Sequence, residues 1–306
     1  MIELVCADKF IKEFEKIHKL KVHKIPLNYF DGRSVLLLMC KCGNTWIALP
    51  HCSEGYVQIE NSPSENPPLF SFVETQDGNL LCTKNIRWQI RDTRAYSSNV
   101  YADKLNFKIT LKQDLMNQVF TSNVRRKIRK AHSLGIEVKT TGKKLIDHFY
   151  KVYSKRMFEL GSPFAARDEI KKGLKLKKLT IFVAYLNNKP IGAATLFKRD
   201  ETSFENALFA TETKYNHCYT TYALHYAMMQ YSLQSGAKSY YLGRSTRQSS
   251  VHEYKRHFNP EEIALYWSSS HKTKNIRDKK ILKKLWCLLP FGVSKLIGGF
   301  FYKRIY

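Results

Sequence analysis

The segment from residue 180 to residue 267 constrains the fold most, because its apolar runs follow an order that few architectures accommodate. Two apolar, β-branched runs flank the sequence Asn187-Asn188-Lys189-Pro190, which predicts a hairpin. A helix is predicted at residues 220–234. The predicted strands of the segment are residues 180–186, 191–197, 204–210, 238–242 and 263–267. This order predicts an α/β sheet with an antiparallel start and a crossover helix.

The first part of the chain is predicted to be mostly strands, after one helix at residues 7–18. The predicted strands there are residues 34–40, 45–49, 69–73, 86–90 and 105–111. Residues 61–68 are rich in Pro, Asn and Ser and predict a loop. Two helices follow, one from an N-cap at Ser122 to Gly135 and one from about residue 143 to Gly161.

The charge of the chain is its compositional outlier. It has 51 basic and 26 acidic side chains in 306 residues, a net charge of +25. Such an excess favours an anionic partner, which could be a nucleic acid, a phosphate-linked substrate or an anionic membrane face. The charge alone does not choose among these partners, because an enzyme beside anionic lipid would carry the same excess.

The seven cysteines are scattered and odd in number, which does not indicate a disulfide framework. Cys40, Cys42, His51 and Cys52 form the one grouping with metal-ligand character. However, Cys40 and Cys42 only share a face of a predicted strand, and structural zinc usually shows a second clean ligand pair. The sequence therefore predicts no metal. Reduced cysteines and a first segment without secretory character predict a cytoplasmic protein.

Residues 279–306 have an unusual composition for a chain terminus. No apolar run in the sequence reaches the roughly 18 residues of a membrane-spanning helix. The segment instead interleaves lysines with Leu, Phe and Trp, which is typical of an amphipathic segment lying on anionic lipid. A terminal helix docked on the protein core would have the same pattern, and both interpretations stay open.

A short motif after the predicted strand 238–242 carries the strongest signal for a binding site. The strand ends at Gly243, which is followed by Arg244 and Ser245, and the pair Tyr254-Lys255 comes shortly afterwards. Two cations are thereby placed beside the end of a sheet strand, where open α/β folds bind ligands. This arrangement favours a substrate with a phosphate or a carbonyl group.

A second cluster of cations lies on the helix that begins at Ser122. Its charged residues are Arg125, Arg126, Lys127, Arg129 and Lys130. The cluster is either a solvated helix face or a cradle for phosphates, since arginine offers planar, bidentate donors.

Several separated segments resemble Fem-type proteins in the order in which those proteins carry them. They are SNVRRKIRKAHSLGIEV at residues 122–138, FYKVYSKRMFELGSP at 149–163, YLGRS at 241–245 and EYKRHFNPEE at 253–262. The segment LWCLLPFGVSKLIG at residues 285–298 resembles the tail of the subfamily associated with bacterial exopolysaccharide and exosortase loci. The resemblance covers about residues 120–298, and the first 115 residues match only in general pattern.

The resemblance implies an α/β (α+β) fold of tandem GNAT-like halves, with mixed, mostly antiparallel sheets flanked by helices. The implied domains are an N-terminal GNAT-like half at residues 1–118, a C-terminal acyltransferase domain at 119–270 and a basic, apolar tail at 271–306. The best-known Fem-type proteins move an amino acid from aminoacyl-tRNA onto an amine of a peptidoglycan precursor. The resemblance therefore implies an acyl- or aminoacyltransferase of cell-envelope biosynthesis, with no tightly bound cofactor, on the cytoplasmic side of the membrane.

The chain departs from acetyl-CoA-using GNAT enzymes at the junction of strand and helix. Those enzymes hold the pyrophosphate with backbone N–H groups of a glycine-rich loop, whereas residues 213–219 contain no glycine. Side chains there would crowd the backbone, which disfavours acyl-CoA and favours aminoacyl-tRNA as the donor. The chain also departs from the Fem-type pattern at Tyr241-Leu242 and Phe258-Asn259, which counts against an unchanged substrate.

The resemblance and the chemistry of ester aminolysis together suggest roles for individual residues. Lys255 is the candidate for stabilising charge at the reacting carbonyl, and Arg244 for anchoring a phosphate or carboxylate. The proposed substrate-binding residues are Arg125, Arg129, Arg156, Ser245 and Tyr254. The general base is not identified, although His252 and Glu253 lie beside the motif.

Two alternatives remain at this stage. One is an acyl-CoA-dependent GNAT N-acetyltransferase acting on a sugar or another small amine. The other is a basic protein that binds nucleic acid or a membrane surface without catalysis, which the cationic helix and the many aromatic residues would support.

Overall fold

The computed structural model describes residues 4–52, 59–60, 69–93, 95–96, 99–142, 144–271 and 280–302. The chain divides into two compact units. Unit 1 comprises Met1–Asn106 and Ile263–Asn275, and unit 2 comprises Phe107–Glu262 and Ile276–Ile305. The predicted loop at residues 61–68 lies outside the described residues.

The helices and strands are numbered in chain order. The helices of the described residues are α1 Leu4–His18, α2 Ser122–Ser133, α3 Leu145–Glu159, α4 Arg167–Lys175, α5 Thr220–Gln234, α6 Ser250–Arg256, α7 Lys280–Leu288 and α8 Phe291–Tyr302. The strands are β1 Val22–Asn28, β2 Ser34–Cys42, β3 Thr45–Ala48, β4 Ile59–Glu60, β5 Phe72–Glu74, β6 Leu80–Cys82, β7 Arg87–Asp92, β8 Val100–Thr110, β9 Glu137–Lys139, β10 Leu179–Leu186, β11 Lys189–Lys198, β12 Ser203–Thr211, β13 Ser239–Tyr241, β14 Ser245–Thr246 and β15 Glu261–Ser269.

Unit 1 is built on a mixed sheet with the strand order β6-β5-β1-β2-β3-β7-β15. Its core is aromatic: the rings of Phe70, Phe72 and Trp88 meet edge to face at centroid distances of 5.7 and 5.4 Å. Strand β2 is buried from Val35 through Cys40, so it carries apolar side chains on both faces. Burial raises the pKa of the Cys40 thiol. In the described residues, no group of three or more His, Cys, Asp or Glu side chains is placed to hold a metal.

Unit 2 carries the predicted antiparallel hairpin. Asn187 and Asn188 adopt left-handed φ values of 48° and 59°, which closes a two-residue turn between β10 and β11. The strand order is β8-β13-β12-β11-β10-β9. The pairing of β12 with β13 is parallel, and α5 makes the crossover between them.

The two faces of the unit 2 sheet are covered by different helices. Successive side chains of a strand point to opposite faces of the sheet, so neighbouring residues pack against different helices. Ile181, Val183 and Ala193 pack in a cluster with residues of α3 and α4. Gly192, on the other face, lies against Thr220 and Leu224 of α5, where an added Cβ would be 2.8 and 3.0 Å from them. Helix α2 packs on α5.

Most of the predicted elements of unit 2 are confirmed, and α5 begins and ends at the predicted residues. The N-cap of α2 is a correction: it is Thr121, whose side chain accepts a hydrogen bond from Val124 N, so Ser122 is already the first helical residue. In unit 1, the strand predicted at residues 69–73 begins only at Phe72. The sequence did not predict β1, α4 or α6.

Helices α7 and α8 dock on unit 2. Trp286 is buried beside Phe164, with ring centroids 6.5 Å apart, and Phe291 meets Phe158 of α3 at 5.3 Å. The terminal segment therefore forms a helical hairpin on the core. Among the helices that the structure describes, none has the length and apolar character needed to cross a bilayer.

Candidate active site at the end of strand β13

The candidate site begins where β13 ends. Gly243 follows the strand with φ of 76°, and a Cβ there would lie 2.8 Å from Asn206 O. Only glycine fits a left-handed turn so close to the neighbouring backbone. The chain then passes through Arg244 to β14 and into α6, whose N-cap Ser249 accepts a hydrogen bond from His252 N.

Lys255 lies in the last turn of α6 and points back to the end of β13. Its Nζ donates to Gly243 O at 2.7 Å and to Arg244 O at 2.9 Å. The residue is only 6% exposed, and Nζ lies 5.2 Å from the centre of the Phe107 ring. Because an ammonium group has three N–H donors, one donor remains beyond the two carbonyls.

The surroundings of Lys255 disfavour its positive charge. Burial lowers the pKa of Lys255 from 10.5 to about 7, the carboxylate of Glu205 opposes this, and the charge of Arg244 adds to it. Near neutral pH the side chain can therefore hold or release a proton. Such a perturbed group at a strand end is a candidate for a functional role.

Glu205 is the acidic member of this group. It is buried on β12, and its Oε2 lies 3.3 Å from Arg199 Nη1. The Arg199 guanidinium in turn lies 4.0 Å from the centre of the Tyr241 ring. The strand end thus combines Lys255, Arg244 and Arg199 with one buried carboxylate.

Ser245 and Tyr254 lie beside these charges. Ser245 is buried, and its Oγ has no hydrogen-bond partner among the residues that the structure describes. A buried hydroxyl without a partner is costly unless a ligand satisfies it. The ring of Tyr254 packs edge-on to Tyr222 and Phe258, at 5.3 and 5.7 Å, and burial raises the pKa of its hydroxyl. Tyr254 therefore forms an aromatic wall of the region.

The two neighbouring candidates for a general base have other contacts. His252 Nδ1 accepts from Gln248 N at 2.9 Å, which leaves Nε2 to donate to Glu262 Oε1 at 3.1 Å. This histidine therefore braces the turn before α6. Glu253 is exposed and lies 3.7 Å from Arg256. Neither contact identifies a base.

His225 is a satisfied core residue. Its Nδ1 is 2.8 Å from Tyr240 Oη, and its ring stacks on Phe209. Burial, with a smaller effect of the Lys255 charge, lowers the pKa of His225 to about 3, so the ring is neutral at physiological pH.

The three arginines predicted to bind substrate lie on helices α2 and α3, outside the segment from β13 to α6. Arg125 Nη1 donates to Phe120 O at 2.9 Å and thereby ties α2 to the preceding turn. Arg129 is exposed on α2. Arg156 lies on α3 and forms an ion pair with Glu159 at 3.1 Å. Because α2 and α3 cover opposite faces of the sheet, the structure does not bring Arg156 together with the α2 arginines.

Sequence reasoning missed a hydrogen-bonded chain beside the aromatic wall. Lys127 Nζ donates to Tyr222 Oη at 2.9 Å, and Tyr222 Oη lies 2.9 Å from His257 Nδ1. Burial is the main cause that lowers the pKa of both Lys127 and His257, and it raises the pKa of Tyr222 to about 12. In the sequence, Lys127 is only a lysine among the arginines of α2, and His257 is only a histidine that follows Lys255. Nothing in the sequence connects these two residues.

Comparison with known proteins gives matches in structure only. No family model matches this chain, and no curated protein matches its sequence. The C-terminal domain of a protein described as a lysylphosphatidylglycerol synthetase, from Agrobacterium fabrum, matches with a TM-score of 0.55 at 10% identity over 91% of this chain and 94% of its own. FemX matches with a TM-score of 0.54 at 10% identity over 89% and 93%. L-PGS from Bacillus licheniformis matches with a TM-score of 0.50 at 11% identity over 97% and 98%.

At such identities the matches establish the fold alone. The chain has a mixed α/β, tandem GNAT-like fold, as FemX has. The predicted fold class is therefore confirmed, and the resemblance to Fem-type proteins is confirmed at the level of the fold. A fold hosts more than one activity, so function must be argued from the residues at the end of β13.

Proposed function

We propose that this chain is an aminoacyl- or acyltransferase that forms an amide bond on an amine acceptor of cell-envelope biosynthesis. The observation that carries the proposal is Lys255, a buried lysine held against the carbonyls of Gly243 and Arg244 with its pKa lowered to about 7. The fold of the chain, which is shared with FemX and L-PGS, is compatible with the transfer of an acyl or aminoacyl group.

The proposed reaction is aminolysis of an ester. The acceptor amine attacks the ester carbonyl carbon, the C–O bond to the donor hydroxyl breaks, and the amine proton ends on that hydroxyl oxygen. The third N–H of Lys255 stabilises the oxyanion of the intermediate. Arg244 binds a phosphate or carboxylate of a substrate, and the Ser245 hydroxyl supplies a hydrogen bond that the described residues leave unused.

The donor that we propose is aminoacyl-tRNA. The segment that precedes α5 is a 3₁₀ turn, Thr213–Cys218, and the cap residue Tyr219 is left-handed with φ of 55°. With side chains at every position there, a pyrophosphate would not reach the backbone N–H groups as it does in a glycine-rich loop. This supports tRNA over acyl-CoA.

Helix α2 offers the proposed contact with the tRNA backbone. Arg126, Arg129 and Lys130 are all exposed along it, and cations of this kind bind phosphates without reading sequence. Arg125 would then act indirectly, by fixing the position of α2 through Phe120 O. For Arg156 we propose binding of the diphosphate of the acceptor.

The acceptor that we propose is an amine of a lipid-linked or diphosphate-linked envelope precursor, reached from the cytoplasmic face of the membrane. The resemblance of residues 285–298 to the exosortase-associated subfamily supports this placement. An acyl-CoA-dependent acetyltransferase of a small amine remains the alternative.

The test is a donor-consumption assay. Purified protein is incubated with charged tRNA or with an acyl-CoA panel, together with an acceptor fraction from envelope extract. We expect consumption of charged tRNA by the parent protein, loss in Lys255→Met and retention in the matched variant Arg256→Met, whose side chain is exposed on the same helix. Turnover of acyl-CoA instead would overturn the proposed donor. Equal loss of polyanion binding and transfer in Lys255→Met would favour a nucleic-acid-binding protein.

A further inference from the structure

Helix α8 approaches the rest of unit 2 most closely at small residues. A Cβ on Gly299 would lie 2.7 Å from the Cβ of Ala166, and one on Gly298 would lie 3.3 Å from the Phe164 ring. Ser294, one turn earlier on the same face of α8, is completely buried. The positions of α8 that approach the protein most closely are therefore serine and glycine, and Phe291 and Ile297 pack beside them.

Several large apolar side chains of the hairpin are exposed, whereas Trp286 and Phe291 pack on the core. Leu296 is 85% exposed and Leu288 is 79% exposed. Of the thirteen large hydrophobic side chains that are exposed in the described part of the chain, six lie in this hairpin. They are Leu285, Leu288, Val293, Leu296, Phe300 and Phe301.

This amount of exposed apolar surface is unusual for a helix on the surface of a protein in water. Such a helix turns its large apolar residues to the core and polar residues to solvent. In α8 the positions Val293, Leu296 and Phe300 follow each other at helical spacing on the outward side, opposite Ser294 and Gly298. A concentrated apolar patch of this kind marks a surface that contacts another apolar phase or partner.

The charges of the hairpin select an anionic lipid surface as that partner. Lys283, Lys284 and Lys295 are exposed beside the apolar side chains. Residues 279–306 contain no acidic residue. A second copy of the same surface would bring these lysines together and be repelled, whereas phosphate headgroups above an acyl layer complement both the lysines and the leucines.

We propose that the α7–α8 hairpin is a membrane-docking surface that lies in the headgroup layer of an anionic bilayer. Leu288, Leu296 and Phe300 reach the acyl boundary, and the three lysines bind lipid phosphates. Helices of 9 and 12 residues are too short to cross the bilayer, so the hairpin lies along it. The small inward residues let α8 lie close to the protein while its exposed apolar side chains are available to lipid. This inference stands without the transfer reaction.

The test is vesicle flotation of the full chain. Vesicles of phosphatidylcholine alone are compared with vesicles of equal parts phosphatidylcholine and phosphatidylglycerol. We expect the parent protein to float with the anionic vesicles. The triple variant Leu288→Ser, Leu296→Ser, Phe300→Ser should lose at least about a hundredfold in partition coefficient, because each side chain loses its burial in the acyl layer. The matched control Phe30→Ser with Leu81→Ser, at two exposed positions of unit 1, should float as the parent does.

A charge variant separates the lipid headgroup from a purely apolar partner. Replacing Lys283, Lys284 and Lys295 by Gln should weaken partition to anionic vesicles about fivefold for each lysine, and leave partition to neutral vesicles unchanged. All the exchanged side chains are exposed, so thermal melts should match the parent protein. Flotation of the serine variant equal to the parent would overturn the proposal. So would a parent that does not float but forms dimers which the serine variant abolishes.

Discussion

Replacing Lys255 by methionine should stabilise the protein at neutral pH while abolishing the proposed transfer activity. The lysine pKa is lowered from 10.5 to about 7 by burial. Each pKa unit corresponds to about 1.4 kcal/mol, so holding the ammonium form in the folded state costs about 5 kcal/mol. The two hydrogen bonds to Gly243 O and Arg244 O offset part of this cost in the parent protein. The expected increase in the free energy of unfolding of Lys255→Met is therefore about 2 kcal/mol.

The same shift predicts a pH dependence of stability. The unfolded lysine keeps its proton up to about pH 10.5, whereas the folded one loses it near pH 7. Between these values the unfolded state binds more protons, so the contribution of Lys255 to stability rises with pH. From pH 7 to pH 9 the parent should gain about 2 kcal/mol more than Lys255→Met does, because the variant lacks the titrating group.

Urea unfolding followed by circular dichroism at pH 7, 8 and 9 measures this difference. Other titrating groups cancel when the two proteins are compared at each pH. The variant Lys130→Met, at an exposed position of α2, serves as the control and should follow the parent. Parallel curves for the parent and Lys255→Met would show that Lys255 is not buried as a costly ammonium, and would refute the electrostatic argument for the site.

Three further outcomes follow from the geometry. Gly243→Ala should lower the free energy of unfolding in urea by about 1–3 kcal/mol, because the added Cβ meets Asn206 O. Gly236→Ala, which is also left-handed but lies in open space, should lower it less. Equal losses would count against the close approach at Gly243. Gly299→Leu should release the α7–α8 hairpin to trypsin and Gly292→Leu should not, because only Gly299 lies against Ala166. Replacing Arg126, Arg129 and Lys130 by Gln should flatten the salt dependence of tRNA binding by about 0.7–0.9 per charge, and an unchanged slope would exclude α2 as the contact.

Sequence patterns predicted best where local signals and tertiary packing agree. The Asn187-Asn188 turn between two β-branched runs gave the β10–β11 hairpin, since the turn tolerates left-handed backbone and the runs suit a half-buried strand. Helix α5 was placed correctly because it is a long apolar stretch with glycine after its end. Helix α6 was not predicted, because seven residues with mixed charge carry little helical periodicity.

The candidate site could be predicted only in part. The sequence placed Arg244 and Lys255 near a strand end, and the structure brings both to the end of β13. The sequence could not show the surroundings of Lys255, because Phe107 and Glu205, which lie near it in the fold, are distant from it in the chain. Arg125, Arg129 and Arg156 were grouped by residue type, and the structure separates Arg156 from the other two because α2 and α3 lie on opposite faces of the sheet.

The distribution of energetic costs in unit 2 supports the choice of site. His225 is as deeply buried as Lys255, but it is neutral, stacked on Phe209 and hydrogen-bonded to Tyr240, so it costs the fold little. At the end of β13, by contrast, a buried lysine coincides with a left-handed Gly243 and with a Ser245 hydroxyl that the described residues leave without a partner. A fold selected for stability alone would replace such groups by apolar ones. Because these costs coincide at one strand end, a substrate that uses the lysine charge and the serine hydroxyl would explain them together.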